Sequence, residues 1–254
     1  MASLRTQNRA LMLALATTFL YAAVSSAQTT PSAASLTYNG SAKQVTGPGG
    51  SPVFLLTPAE DYEAGSAFTS TGVVFGSTYS FHTFFQFQMT NPGGIGAADG
   101  FTFTIQTQGP QALGVNGGDL GYVGITPSVA VEFDTWQNSW DINGNHVAIL
   151  TDGQTNDLDP QTPYGVTDCQ PSTGVFGCLS NGDVWSVWID YNGTALTVAV
   201  ADNSTKRPAN LIEYPIALAS ILGPGPAYVG FTGGTGAGYQ DHYVLNWVFY
   251  NPGT

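Results

Sequence analysis

The feature that most constrains this chain is a strict alternation of apolar and polar residues, repeatedly interrupted by Gly, Pro and Asn. The run "GFTFTIQTQ" puts Phe101, Phe103 and Ile105 on one face and Thr102, Thr104 and Gln106 on the other. A repeat of two fits a strand, whose successive side chains point to opposite faces, and does not fit a helix. "YSFHTFFQFQM" (79–89) and "HYVLNWVFY" (242–250) read the same way, and "DVWSVWIDYNGTALTVAVAD" is two strands around the Asn192-Gly193 turn signal. Helical spacing is weak and confined to "YPIALASIL" (214–222). The pattern predicts an all-β chain of many strands, most economically two packed sheets. No internal linker or repeat divides it, and 254 residues suit one large sandwich.

The N-terminus predicts export. Arg5 and Arg9 precede an apolar run over residues 10–24, and Ser25 and Ala27 offer small residues for cleavage before Gln28. The run is shorter than the roughly 20 residues a membrane span requires. The expected organisation is therefore a signal peptide over 1–27, a short linker over 28–33 and a single domain over 34–254. The mature chain is expected to be secreted, at the cell surface or in a periplasm, without membrane insertion. Beyond residue 27 only Lys43, Lys206 and Arg207 are basic, against 17 acidic residues, a formal charge of −14. Such a surface repels phosphate backbones and argues against nucleic-acid binding. Cys169 and Cys178, an even count in an exported chain, predict a disulfide closing a short loop.

In this chain poor in charge, "VAVEFDTWQNSWDINGNHVAI" (129–149) gathers Glu132, Asp134, Asp141 and His146. On a strand, Val129, Val131 and Phe133 face a core, and Glu132 and Asp134 share the opposite face. Two neighbouring carboxylates repel unless a cation holds both. The turn residues Asn143-Gly144 return the chain so that Asp141 and His146 approach the same place. The donor types suggest two ions. Oxygens of Asp134, the Trp136 carbonyl, Asn138 and Asp141 suit Ca²⁺. The mixed set Glu132, Asp134, Asp141 and His146 suits Mn²⁺ or another transition ion. The alternative on these residues alone is an acidic loop with a structural His. His82 and His242 belong to no motif and are expected to be structural.

Following these residues, the chain resembles the legume-type (L-type) lectins. "VAVEFDT" with its subsequent Asn, Asp and His matches their signature, and "LLTPAEDYEAGSAF", "GAADGFTFTIQ", "NGGDLGY" and "GFTGGTGAGYQDHYVLNWVF" match further family segments in order, from about residue 34 to 252. The resemblance implies a jelly-roll, concanavalin-like sandwich that binds glycans with Ca²⁺ and Mn²⁺ and catalyses nothing. It implies that Asp99, after a cis Ala98–Asp99 peptide, accepts hydrogen bonds from sugar hydroxyls. It further implies that Gly118 donates its backbone N–H, that Asn138 serves both ion and sugar, and that Trp136 faces the pyranose. Ala237 and Gly238 would line the loop that sets sugar preference. Self-association through a sheet is compatible with such a fold.

Three departures stand out: Gly238 where some relatives carry a polar side chain, "VAIL" after His146, and the close spacing of Asn138 and Asp141. The signal-like start, the cysteine loop and the short metal loop look more like bacterial members of the superfamily. The competing readings are a surface protein that kept the fold without sugar binding, and a glycoside hydrolase. The hydrolase reading suffers because Glu132-x-Asp134 continues to Trp136 instead of a third carboxylate.

Overall fold

The computed structural model describes residues 28–29, 35–47, 49–75, 79–159, 162–166 and 178–251. The expected signal peptide and Cys169, and with it the Cys169–Cys178 pairing, lie outside the described residues.

Two antiparallel sheets face each other, as the alternation predicts. One has the order β13 (Ile212–Pro215), β12 (Ala195–Asp202), β11 (Trp185–Tyr191), β6 (Phe81–Gly94), β15 (Gly238–Tyr250), β4 (Pro52–Leu55) and β3 (Lys43–Thr46), with β1 (Gln28–Thr29) also paired to β15. The other runs β10 (Tyr164–Val166), β9 (His146–Thr151), β8 (Ser128–Asp134), β7 (Gly100–Gln106), β14 (Tyr228–Gly234), β5 (Ala64–Thr69) and β2 (Leu36–Gly40). The β11–β12 hairpin closes at the predicted turn, where the Asn192 side chain accepts the Thr194 and Ala195 N–H groups, each at 2.9 Å. The segment 214–222 divides: Tyr214 and Pro215 finish β13, and only Leu218–Leu222 is helical (α1).

Aromatic rings fill the space between the sheets. Phe101 of β7 and Phe133 of β8 are cross-strand partners whose rings stack at 4.8 Å, and Phe231 of β14 meets Phe85 of β6 edge-on at 5.0 Å. Aromatic pairs in such offset or edge arrangements add to the stabilisation from area burial. The seven-stranded sheet is covered on its other face too, where Leu120, Tyr122 and Ile125 pack on Ala130, Ala148 and Leu150. The Thr face of "GFTFTIQTQ" is consequently buried, and it is satisfied internally: Thr102 bonds Thr104 at 2.6 Å and Thr232 at 2.8 Å, and Thr232 donates to the Leu120 carbonyl. Buried hydroxyls are tolerated only with such partners.

The register gathers the candidate site at one end of this sheet. Gly100 at the start of β7 is opposite Asp134 at the end of β8 and Gly234 at the end of β14, and Asp134 is opposite His146 at the start of β9. Asp99, the 135–145 loop and the 235–237 loop therefore leave the sheet side by side. Among the described residues no helix is long and apolar enough to cross a membrane.

Candidate functional site

The strand pairing brings Glu132, Asp134 and His146 together in a fully enclosed setting, with 1%, 2% and 0% exposure. His146 Nε2 is 3.2 Å from Glu132 Oε1 and also contacts Asp157 Oδ2, while Nδ1 donates to the Asn143 carbonyl at 2.9 Å. A backbone carbonyl on one ring nitrogen and carboxylates on the other is how a metal-ligating imidazole is oriented. The side chains whose ligand atoms all lie within 4.8 Å of one another are Glu132, His146 and Asp157. Asp157 was not among the sequence candidates. It stands eleven residues past His146, in a loop without motif or periodicity, and only folding reveals its proximity.

Electrostatics explain why this cluster calls for a cation. Burial holds the carboxyls of Glu132 and Asp134 above the usual carboxylate range, and each is raised further by neighbouring acids. For His146, burial alone would favour the neutral ring, but hydrogen bonds that Asp157 and Glu132 accept from it outweigh this and raise the pKa. Asp157 Oδ1 is buried with no protein partner among the described residues. Three acids around one imidazole can all ionise in this buried setting only with added positive charge, which a divalent ion would supply.

The oxygen-rich side lies in the next loop. Asp134 Oδ1 accepts the Trp136 N–H at 2.7 Å, and Asp141 Oδ2 accepts the Asn138 N–H. Burial first, then the Asp157 charge, pushes Asp141 up to about 6, against the Asn138 N–H and His146, which lower it. Asn138 Oδ1 is buried and unpartnered. Asp134, Asn138 and Asp141 thus supply a hard oxygen set of the kind Ca²⁺ prefers. Of the expected transition-ion set, Glu132 and His146 fall in the buried ligand cluster together with Asp157, whereas Asp134 and Asp141 do not.

Asp99 lies beside this loop. The Ala98–Asp99 peptide is cis. The Asp99 carbonyl accepts both the N–H and the hydroxyl of Thr135, each at 2.8 Å, and Gln240 donates to Thr135 Oγ1 at 2.9 Å. Asp99 is 4% exposed, and its Oδ2 has no hydrogen-bond partner among the described residues. Burial, then Asp141 and Asp119, raises its pKa to about 7, while the Gly236 backbone lowers it. Glycines form the surroundings. A Cβ at Gly118 would stand 2.4 Å from Asn138 Oδ1, and one at Gly236 would stand 3.1 Å from Asp99 Oδ2. Trp136 is half-buried, its ring 3.1 Å from where a Gly96 Cβ would lie. Ala237 is exposed. Gly238 is buried, and a side chain there would meet the Gly96 carbonyl at 2.8 Å, so it packs the loop from beneath. Asp99, Gly96, Gly118, Trp136, Asn138 and Gly236 thus lie close together in neighbouring loops at this end of the sheet.

The other two histidines stand apart from the site. His242 is enclosed and hydrogen-bonded through Nδ1 to Thr57 at 2.5 Å, whereas His82 is exposed and pairs with Asp190 at 2.8 Å.

The family model described as the legume lectin domain matches residues 16–254. The probable L-type lectin-domain containing receptor kinase VII.2 of Arabidopsis thaliana is 31% identical over 69% of the chain and 27% of its own length. The L-type lectin-domain containing receptor kinase I.8 of the same plant is 30% identical over 80% of the chain and 32% of its own length. The chain thus spans only 27% and 32% of the length of these two relatives. Among solved structures, basic winged bean lectin with Tn-antigen superposes with a TM-score of 0.67 at 27% identity, covering 85% of this chain and 92% of that one. A Bauhinia forficata lectin in complex with GalNAc gives 0.66 at 25% identity, covering 86% and 93%.

Proposed function

Because the chain belongs to the legume lectin domain family, we propose that it is a secreted lectin, binding carbohydrate without turnover at the recess between Asp99, Gly118, Trp136 and Asn138. The observation that carries this reading is a pair of buried oxygens without a partner among the described residues, Asp99 Oδ2 and Asn138 Oδ1, beside Gly236 and Gly118. A buried polar atom without a partner is costly, so such atoms point to something the protein is built to hold.

In this reading Asp99 accepts hydrogen bonds from two sugar hydroxyls. The Gly118 N–H donates, and the absence of a side chain there leaves room for the ring. Trp136 lies against the apolar face of the pyranose. Asn138 would offer Oδ1 to calcium and keep its N–H₂ for the sugar. Asp134, Asn138, Asp141 and the Trp136 carbonyl would hold Ca²⁺. Glu132, Asp134, Asp141 and His146 would hold Mn²⁺ or another transition ion, with Asp157 as an additional carboxylate. The ions would supply the positive charge that lets these buried acids stay ionised. Absence of turnover is supported by the 1% and 2% exposure of Glu132 and Asp134, which leaves neither open to a glycosidic oxygen. One recess of this sort binds weakly, so useful affinity comes from several sites on one particle.

A second reading, a surface protein that retains the ions but binds no glycan, is favoured by the small residues at 236–238, which offer no side-chain donor to a sugar. A glycan array probed with wild type and Asp99→Asn in Ca²⁺ and Mn²⁺ separates the two. The lectin reading expects a defined sugar class on wild type and none on the variant. Equal signals from both proteins would refute the assignment of Asp99, and an empty array with folded, ion-loaded wild type would favour the second reading.

A further inference from the structure

Exposed apolar side chains are gathered around the recess. Tyr62, Val115 and Ile95 are 62%, 52% and 67% exposed. All three are tied by backbone to the loops that form the site. The Tyr62 N–H donates to the Gly236 carbonyl at 3.2 Å, and the Tyr62 carbonyl accepts from Asn116 Nδ2 at 2.6 Å. Gly236 itself adjoins the Asp99 carboxylate. Val115 precedes Asn116, which leads into Gly117 and Gly118. Ile95 donates its N–H to the Ala237 carbonyl at 3.1 Å, next to Gly96 and the Trp136 ring.

Tyr62 also has a backbone φ of +57°, the left-handed region that bulky side chains avoid. Both of its peptide groups are fixed to neighbouring loops while its ring is left to water. Loop Pro58–Glu63 is anchored twice more, by the Glu63 N–H on Thr235 Oγ1 at 2.9 Å and by Thr235 Oγ1 on the Glu60 carbonyl at 2.7 Å. With its backbone already fixed beside Gly236, the exposed Tyr62 side chain can serve as a contact surface without further backbone ordering.

The same loops fix the sign of charge a ligand can bring. Glu60 and Asp61 are exposed, Glu63 and Asp119 half-buried. The basic residues beyond position 27 are Lys43, Lys206 and Arg207, none of them in these loops, and Arg207 is paired with Asp190. An anionic sugar would meet acidic side chains and no basic one in these loops.

We infer that the recess extends into a second subsite with Tyr62 as its ring platform, so that the ligand is a neutral oligosaccharide of at least two rings. The inference rests on the sugar-binding reading above. A first ring lies between Asp99, Asn138 and Trp136, and the next crosses Gly236 onto the Tyr62 ring, which covers the apolar C–H face of a pyranose. Val115 and Ile95 exclude water from the edges.

The test is calorimetry on the full chain with Ca²⁺ and Mn²⁺. The probes are galactose, N-acetylgalactosamine, mannose and glucose, neutral di- to tetrasaccharides ending in each, and sialylated forms of these. The variants are Tyr62→Phe, which keeps the ring, and Tyr62→Asn, which removes it while tolerating the left-handed backbone. Wild type and Tyr62→Phe should bind the neutral oligosaccharide about tenfold tighter than its terminal monosaccharide, a difference of roughly 1.4 kcal/mol. Tyr62→Asn should lose that gain with monosaccharide affinity unchanged, and sialylation should weaken binding to all three proteins. A monosaccharide that binds as tightly as its oligosaccharides, or an oligosaccharide gain that survives in Tyr62→Asn, overturns the inference and leaves the lectin reading intact. Binding of no probe overturns both.

Discussion

Acidification should weaken the contribution to stability of one buried histidine that is not among the expected metal ligands. His242 on β15 is fully enclosed, its Nδ1 bonded to Thr57 and its Nε2 without a partner among the described residues. Burial pushes its pKa down from 6.5 to about 3, so the folded protein holds the ring neutral where the unfolded chain protonates it. The stabilisation is fully present above pH 6.5 and is lost progressively as the pH falls toward 3. At roughly 1.4 kcal/mol per unit, moving from pH 8 to pH 5 removes about 2 kcal/mol. Raised carboxyl pKa values at Asp99, Glu132 and Asp141 act in the opposite sense, stabilising the fold as pH falls. That contribution is common to wild type and a His242→Gln variant and cancels in their difference. Urea unfolding of both proteins at pH 8 and pH 5 therefore isolates the histidine. The free-energy difference between them should shift by about 2 kcal/mol in favour of the variant at pH 5. A difference constant to within about 0.5 kcal/mol, the ordinary scatter of a neutral substitution, would refute the reasoning.

Other perturbations test the site and its frame. Gly118→Ala places a Cβ 2.4 Å from Asn138 Oδ1. It should weaken sugar binding at least about tenfold by calorimetry, while the thermal midpoint stays near that of wild type. Gly65→Ala sets a Cβ 1.9 Å from the Leu56 carbonyl oxygen, where β5 meets the chain just past β4 of the opposite sheet. The backbone there must shift to admit it, so it should cost about 4 kcal/mol or more in urea unfolding. Asp157→Asn removes one carboxylate from the buried triad. It should lower Mn²⁺ affinity by about 10–100-fold in a metal titration, leaving Ca²⁺ affinity comparatively unchanged.

The sequence is legible where the pattern is local. Alternation at 100–106 and 128–134 gives both strands and the residues that face the core, because a strand's period depends only on neighbours two apart. Asn192-Gly193 gives its hairpin for the same reason. Legibility fails where distant segments meet. Asp157 reaches His146 through a loop that no spacing rule describes, and Tyr62 reaches Gly236 across a separation of 174 positions. The burial of the Thr face of β7 depends on a cover supplied by residues 120–125. In 214–222 the apolar spacing serves strand and helix equally, and the pairing of Tyr214 with Leu196 decides for strand at that end. Glycines were visible as turns, but only the assembled loops distinguish Gly118, which faces Asn138, from Gly238, which is sealed beneath Ala98 and Gly96.

The central claim is that the buried acids act through cations to shape the sugar recess. Its most direct test is titration of the strongest sugar from the array into protein loaded with Ca²⁺ and Mn²⁺, after chelation, and after both ions are restored, with far-ultraviolet circular dichroism recorded each time. The account predicts that binding heat disappears on chelation and returns with the ions while the β-sheet signal persists. Undiminished binding by protein shown to be free of metal would contradict it.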